Sequence, residues 1–364
     1  MDAITEQVVN KFFAFDIENY IFIYTPPKVG STTLVSSLRI SLGRDYNVVH
    51  IHDDTMLSVL TGVNEVTIDD IIKFLSKKGK NVYVIDIYRT PVERKMSEFF
   101  EKISSYHFNN SEENISKYKC DRVSDRFNKV FPYLAKGEHY FDKYKIQNPV
   151  PFDFNKKYTI QKINNTNYIK LRLCDSRLWG SILSEIFNKE IVIINDYQTE
   201  TKEIGEFYKK FKNEYRLPVN YLDLIKECKY LNFYYSEQEK NNYFNEWNMK
   251  LSESCTPYTE LEYKFYVNLY LENQYFNNIQ MEHYIDNGCY CNLCCNKRND
   301  IYTKAKNGDK ITAKILHVEL VNNNVQQKNT KIAEFIKKRN TIQKQISHSV
   351  KQKTKQFGIN LGNA

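Results

Sequence analysis

Glycine and proline are scarce in this chain of 364 residues, which has 11 glycines and eight prolines. An average chain carries about 7% glycine and about 5% proline. The shortage excludes collagen-like and low-complexity architectures, and it makes each glycine or proline inside a pattern more informative. Long apolar runs are also missing, since none approaches the roughly 20 residues that span a bilayer. The first seven residues, MDAITEQ, hold two acids and no basic group, so no secretory leader is expected. The expected compartment is then a reducing cytoplasm, where the eight cysteines act as thiols or metal ligands rather than disulfides. Net positive charge is absent from most of the chain. The net charge is +8, from 52 basic and 44 acidic residues. Nine of the basic residues and one acid lie after residue 327, leaving 43 of each sign before it. The body is not a generally basic, polyanion-binding surface, so what it binds must be held by local groups.

What is present is a globular composition, 41% apolar and 26% charged, long enough for one large or two modest domains. Residues 20–24 (YIFIY) read as a strand that stops at Thr25-Pro26-Pro27. Leu34, Leu38 and Leu42 then recur at helical spacing. Residues 47–52 (NVVHIH) read as a second strand. A helix over 68–78 follows, with Thr67 as its N-cap. Residues 82–88 (VYVIDIY) read as a buried strand, and Pro91 suits the first turn of a helix running to about residue 105. This β/α alternation predicts an α/β fold with a parallel sheet flanked by helices. After a long irregular stretch, strand-like runs appear at 168–173 and 190–194. Residues 200–250 read as helical and aromatic-rich, and 258–280 as amphipathic.

Two segments carry chemistry. The first, Pro27-Lys28-Val29-Gly30-Ser31-Thr32-Thr33, lies between a strand and a helix start, where unpaired amides and the dipole favour an anion. Gly30 would let backbone approach a ligand, Lys28 supplies a cation, and Ser31, Thr32 and Thr33 supply hydroxyls. A Walker A loop needs its lysine after the second glycine; here the lysine precedes a lone one. The plain alternative is a β-α turn with a hydroxyl cap. The second segment is Arg89-Thr90-Pro91-Val92-Glu93-Arg94-Lys95-Met96-Ser97. Arg89 leaves a strand end, where α/β sheets bind ligands, and its fork suits a phosphate. The alternative is that Arg89 pairs with a carboxylate and Ser97 is an ordinary helix hydroxyl.

Taken together, the two segments resemble the sulfotransferases that use 3′-phosphoadenosine 5′-phosphosulfate (PAPS). In that family a P-K-x-G-[ST]-[ST]-T loop cradles the 5′-phosphosulfate and an R-x-P-x-x-R-x-x-S segment holds the 3′-phosphate. Weaker blocks resemble the capsular polysaccharide synthesis branch of sulfotransferase-like proteins: Tyr140-Phe141-Asp142-Lys143, Pro151-Phe152-Asp153, Tyr234-Tyr235-Ser236-Glu237, and Phe244-Asn245 with Trp247. The likeness covers about residues 18–250. It implies a P-loop-like sulfotransferase fold in which Pro27, Lys28, Gly30, Ser31, Thr32, Thr33, Arg89 and Ser97 bind PAPS, with Arg94 assisting. The implied reaction moves a sulfuryl group to a hydroxyl of a carbohydrate-type acceptor, with Lys28 at the bridging oxygen and no metal required.

Such a reaction needs a base, and histidine suits neutral pH. His50 and His52 close the second strand and are expected to turn to opposite faces, one of them toward the reaction centre. His52 is favoured, His50 is second, Asp53 is a candidate orienter, and Glu93 is a weaker base. The alternative is that both histidines bond only to backbone.

Cys289, Cys291, Cys294 and Cys295 form C-x-C-x-x-C-C, a crowded candidate structural zinc site; His283 or His317 could instead complete a site built on Cys291 and Cys294, and free or redox-active thiols are the alternative. The expected organisation is an α/β domain over 1–250, an accessory helical segment over 251–325 and a basic tail over 326–364. The tail is either a solvated end or a contact for a polyanion such as nucleic acid, membrane or acidic glycan. Abundant Asn, Lys, Ile and Tyr suggest AT-biased coding, as in some large DNA viruses and protists; a viral source would make the compartment a host cytoplasm. Two other functional classes stay open: an inactive sulfotransferase-like binding module and a nucleotide-binding kinase or NTPase.

Overall fold

Alternating aromatic and aliphatic residues build the first strand. The computed structural model describes residues 2–107, 110–136, 146, 149–194, 200, 202–264 and 292–309. The order is α1 (Asp2–Phe12), β1 (Asn19–Tyr24), α2 (Ser31–Leu42), β2 (Tyr46–Ile51), α3 (Asp54–Thr61), α4 (Ile68–Lys77), β3 (Asn81–Tyr88), α5 (Pro91–Glu101), β4 (Thr159–Ile163) and β5 (Thr166–Arg172). Between α5 and β4 lie short helices and an 11-residue helix, Cys120–Val130. After β5 come helices Trp179–Phe187, Gly205–Glu214, Val219–Lys226, Lys229–Tyr234, Glu237–Asn248 and Asn292–Lys306.

One sheet runs in the order β2-β1-β3-β5-β4. The first four strands are parallel and β4 pairs antiparallel with β5 at the edge. The four parallel strands are buried on both faces, as parallel sheets are, while the β4 edge is largely exposed. Tyr20, Phe22 and Tyr24 of β1 face a core built with α1, α3, α4, α5 and the later aromatic helices. Ile21 and Ile23 face the opposite core, built with Leu34, Val35 and Leu38 of α2 and with Trp179, Ile182 and Leu183. Period-two alternation therefore assigns each β1 residue to one layer. The Arg39 guanidinium, on α2, donates to Val48 O from Nε at 3.2 Å and Nη2 at 2.9 Å, tying that helix to β2.

Thr67 caps α4 and closes a reciprocal capping box with Asp70. Helix α5 starts with Pro91 at its first turn but ends at Glu101; a short helix, Ile103–Tyr106, follows after Lys102. The run at 190–194 is not a strand. Hydroxyls satisfy its amides instead of a ladder: Ile191 N donates to Ser184 Oγ at 2.8 Å, Val192 N to Ser41 Oγ at 3.0 Å and Ile194 N to Ser37 Oγ at 2.9 Å. The stretch before residue 168 is not irregular throughout. Cys120, Val123, Phe127 and Val130 are buried at helical spacing in Cys120–Val130, and β4 adds an edge. The fifth strand ends at Arg172, because Leu173 opens a 3-10 turn.

Helix Asn292–Lys306 packs against α2 with Arg298 and Ile301 buried. Tyr302 Oη and Lys306 Nζ both reach Glu190, at 3.0 and 2.9 Å. No helix among the described residues is long and apolar enough to cross a membrane. The basic tail lies outside the described residues, as does all of 258–280 beyond residue 264.

Candidate functional site

Register places the carboxyl ends of the parallel strands in one row: Tyr24 beside Ile51, and Tyr88 beside Arg172. Chain order reverses around β1, which leads to β2 on one side and has β3 on the other, so the crevice above β1 and β3 is a topological switch point. The β1–α2 loop and the β3–α5 corner meet there.

The loop is bent by two residues of positive φ, Lys28 at 67° and Gly30 at 90°. A lysine in that region carries backbone strain, of the kind held at functional sites. Gly30 is needed on two counts, its left-handed φ and its packing. A Cβ there would meet Leu173 Cδ1 at 2.8 Å and Trp179 Cη2 at 3.2 Å, so the space it spares is taken by protein rather than left for a ligand. Gly30 also gives α2 no side-chain cap. The first-turn residues Ser31, Thr32 and Thr33 thus open a helix whose leading amides have no intrahelical partners. Ser31 is buried, and Thr32 and Thr33 are half-buried.

Helix α5 grips this loop from the other side. Arg89 Nη1 donates to Lys28 O at 2.9 Å, and Arg89 also bonds Tyr208. Arg94, 2% exposed, donates from Nε to Pro27 O at 3.4 Å and from Nη2 to Lys136 O at 3.5 Å. Ser97 is buried one turn beyond Arg94, and Glu101 lies one turn further on the same stripe. Glu101 Oε2 meets Lys28 Nζ at 2.8 Å and Lys202 Nζ at 2.7 Å. Burial pushes the Glu101 carboxyl up, but the two lysines outweigh it and hold the group down at about 2. Burial lowers the Lys28 pKa, Glu101 pulls it back up, and Lys202 and Arg89 push it down. Lys28, Arg89, Arg94 and Lys202 thus surround the loop, a set whose chemistry suits a polyvalent anion.

His52 stands just past β2. Its Nδ1 lies 2.8 Å from Thr25 O. A carbonyl only accepts, so Nδ1 carries the proton and Nε2 presents the lone pair. Burial lowers the His52 pKa, and Lys28 and Arg94 push it the same way. The Thr25 contact and Asp53 act in the opposite direction, and the result is about 4. The ring is therefore neutral at pH 7. His50 and His52 do not turn to opposite faces: their rings meet edge to face at 4.7 Å, since residues two apart in a strand share a face. His50 is 1% exposed and belongs to the sheet interior. Asp53 is committed to α3, where its Oδ1 accepts from Met56 N at 2.7 Å. Glu93 accepts from the buried Tyr243 hydroxyl at 3.0 Å.

Sequence reasoning missed Glu101 and Lys202, which local spacing does not connect to Lys28. It also missed the support beneath the loop. Thr25 Oγ1 donates to Asp86 Oδ1 at 2.8 Å and accepts from Ile87 N at 3.0 Å. Asp86 in turn pairs with Lys170 at 2.5 Å, with the two side chains 0% and 3% exposed. Two of the weaker resemblance blocks, Pro151-Phe152-Asp153 and Tyr234-Tyr235-Ser236-Glu237, meet at Arg172. It bonds Tyr234 O at 2.9 Å, Asp175 Oδ2 at 2.6 Å and both Glu239 oxygens at 2.9 and 3.0 Å. It also lies against the rings of Phe152 and Tyr235. This knot anchors β5 to the later helices, and Ser236 and Glu239 form the capping box of Glu237–Asn248 within it.

Tyr140-Phe141-Asp142-Lys143 lies outside the described residues. So do Cys289, Cys291, His283, His317 and the side chain of Cys294; Cys295 is half-buried on Asn292–Lys306. No cluster of three potential metal ligands occurs among the described residues. No family model, curated protein or solved structure matches the chain.

Proposed function

We propose that the crevice above β1 and β3 binds PAPS and that the protein transfers its sulfuryl group to a hydroxyl of a carbohydrate-type acceptor. The observation that carries this reading is the junction of the two motifs, in which Arg89 of one donates to the Lys28 carbonyl of the other at 2.9 Å. The 60 residues between them in sequence collapse to one hydrogen bond. PAPS, when bound, supplies an activated sulfuryl group. The chain supplies charge and position. Lys28 and the start of α2, with Ser31, Thr32 and Thr33, offer donors to the phosphosulfate end. Arg89 and Ser97 offer donors to the 3′-phosphate, and Arg94 holds the loop through the Pro27 carbonyl. His52, neutral with its lone pair on Nε2, is the group suited to take the proton of the acceptor hydroxyl. Its low pKa makes it a weak base, so its contribution is orientation as much as driving force.

Isothermal titration with PAP, the desulfated product, tests the reading. Wild type should bind, and Lys28→Ala and Arg89→Ala should each weaken binding at least about tenfold, the loss of one charge-assisted contact. Equal binding by wild type and both variants contradicts the assignment. PAP binding without PAPS turnover on any glycan acceptor favours a binding module on the same fold.

A further inference from the structure

Glu101 stands at the anion end of this site with no place in either motif. Its Oε2 takes both Lys28 Nζ and Lys202 Nζ, at 2.8 and 2.7 Å. The arrangement is asymmetric in charge: one carboxylate faces two ammonium groups, with Arg89 close enough to act electrostatically on Lys28. All three partners are mostly covered; the side chains of Lys28, Glu101 and Lys202 are 15%, 25% and 22% exposed. Two lysines converging on one oxygen is how a phosphate or sulfate oxygen would be received. Here the oxygen belongs to the chain.

We infer that Glu101 is a resident anion that holds Lys28 and Lys202 in place and competes with the phosphosulfate end of the ligand. On this inference Lys202 is a further ligand-binding residue. It rests on the proposed PAPS site and adds a residue and a competitor to it. A carboxylate carries one charge and two oxygens. A phosphosulfate or terminal phosphate carries more of both, so it can displace Glu101 from the lysines while Glu101 still prevents their mutual repulsion when no ligand is bound. The cost of displacing Glu101 lowers ligand affinity, because bonds to the ligand replace bonds already made. Removing the Glu101 charge should therefore weaken the fold and strengthen the ligand.

Full-length wild type, Glu101→Gln and Lys202→Gln are to be compared by thermal unfolding with and without PAP, and by titration with PAP at two salt concentrations. Glu101→Gln keeps the shape and removes the charge. It is expected to melt lower than wild type without PAP, to show a larger PAP-induced shift, and to bind PAP at least about tenfold tighter. Its affinity should also fall more steeply with salt, because the site then meets the ligand with one more net positive charge. Lys202→Gln, at a partly exposed position, should fold normally and bind PAP at least about fivefold more weakly. Equal or weaker PAP binding by Glu101→Gln, with wild type binding, overturns the competitor role and leaves the PAPS site standing. Unchanged binding by Lys202→Gln overturns the assignment of that lysine. No PAP binding by wild type or by Glu101→Gln contradicts the PAPS site itself. Binding by Glu101→Gln alone supports the competitor role in its strongest form.

Discussion

Gly30→Ala is the perturbation whose cost can be worked out most fully from the structure. Two separate terms apply. The first is conformational: φ is 90° and ψ is 16° at this position, and a left-handed non-glycine residue costs about 1–2 kcal/mol. The second is steric, because the added Cβ would lie 2.8 Å from Leu173 Cδ1 and 3.2 Å from Trp179 Cη2. Trp179 is 1% exposed and its Nε1 donates to Arg172 O at 3.2 Å, so it has little room to retreat. Overpacking of this kind costs about 1–3 kcal/mol. The sum is about 2–5 kcal/mol. Gly79→Ala isolates the first term, since its φ is 80° and nothing lies within 4 Å of the new Cβ; it should cost about 1–2 kcal/mol. Urea denaturation of both variants beside wild type measures the difference. If Gly30→Ala costs no more than Gly79→Ala, the contact between the loop and the Trp179 helix is not as described.

Three further outcomes follow. Asp86→Asn leaves the Lys170 ammonium, 3% exposed, without its carboxylate and should cost about 3 kcal/mol or more. Asp86→Asn combined with Lys170→Met should recover part of that loss, and strictly additive losses in urea unfolding would refute the pairing. His52 should titrate near 4 in the folded chain against 6.5 unfolded. Between these values the unfolded chain binds the extra proton, so the stabilisation from a neutral His52 is complete above pH 6.5 and is lost as pH falls toward 4. Imidazole NMR checks this directly, and a His52 midpoint at 6 or above would refute its burial. His107, lowered to about 4 by burial and by Arg126 and Arg122, should add to the same loss.

What was legible in the sequence was local. The β1 aromatic-aliphatic alternation, the Thr67 cap and the Pro91 helix start depend on neighbours within one or two turns, and their spacing shows them. The loop position of Lys28 and the strand-end position of Arg89 follow from the strand-like runs at 20–24 and 82–88. The run at 190–194 misled because β-branched residues mark apolar burial as readily as a strand, and here serine hydroxyls of α2 satisfy the amides. The apolar spacing of Cys120–Val130 is helical, but the charged residues between those positions hide it. The contacts that finish the site were not legible at all. Lys28, Glu101 and Lys202 are separated by 73 and 101 residues, and nothing in the identity of a lysine or a glutamate fixes a partner at that range. Arg172 is similar: its burial depends on aromatic rings and on Glu239, 67 residues away.

The central claim is that the crevice recognises a nucleotide by two separate anions, with Arg89 serving the 3′-phosphate. Titration of PAP and of 5′-AMP, which lacks that phosphate, into wild type and Arg89→Ala tests it most directly. Wild type should prefer PAP at least about tenfold, and Arg89→Ala, which also removes a support of the Lys28 carbonyl, should weaken both nucleotides but lose most of the preference for PAP. Equal affinity of wild type for the two nucleotides, or a preference for PAP that survives in Arg89→Ala, would contradict it.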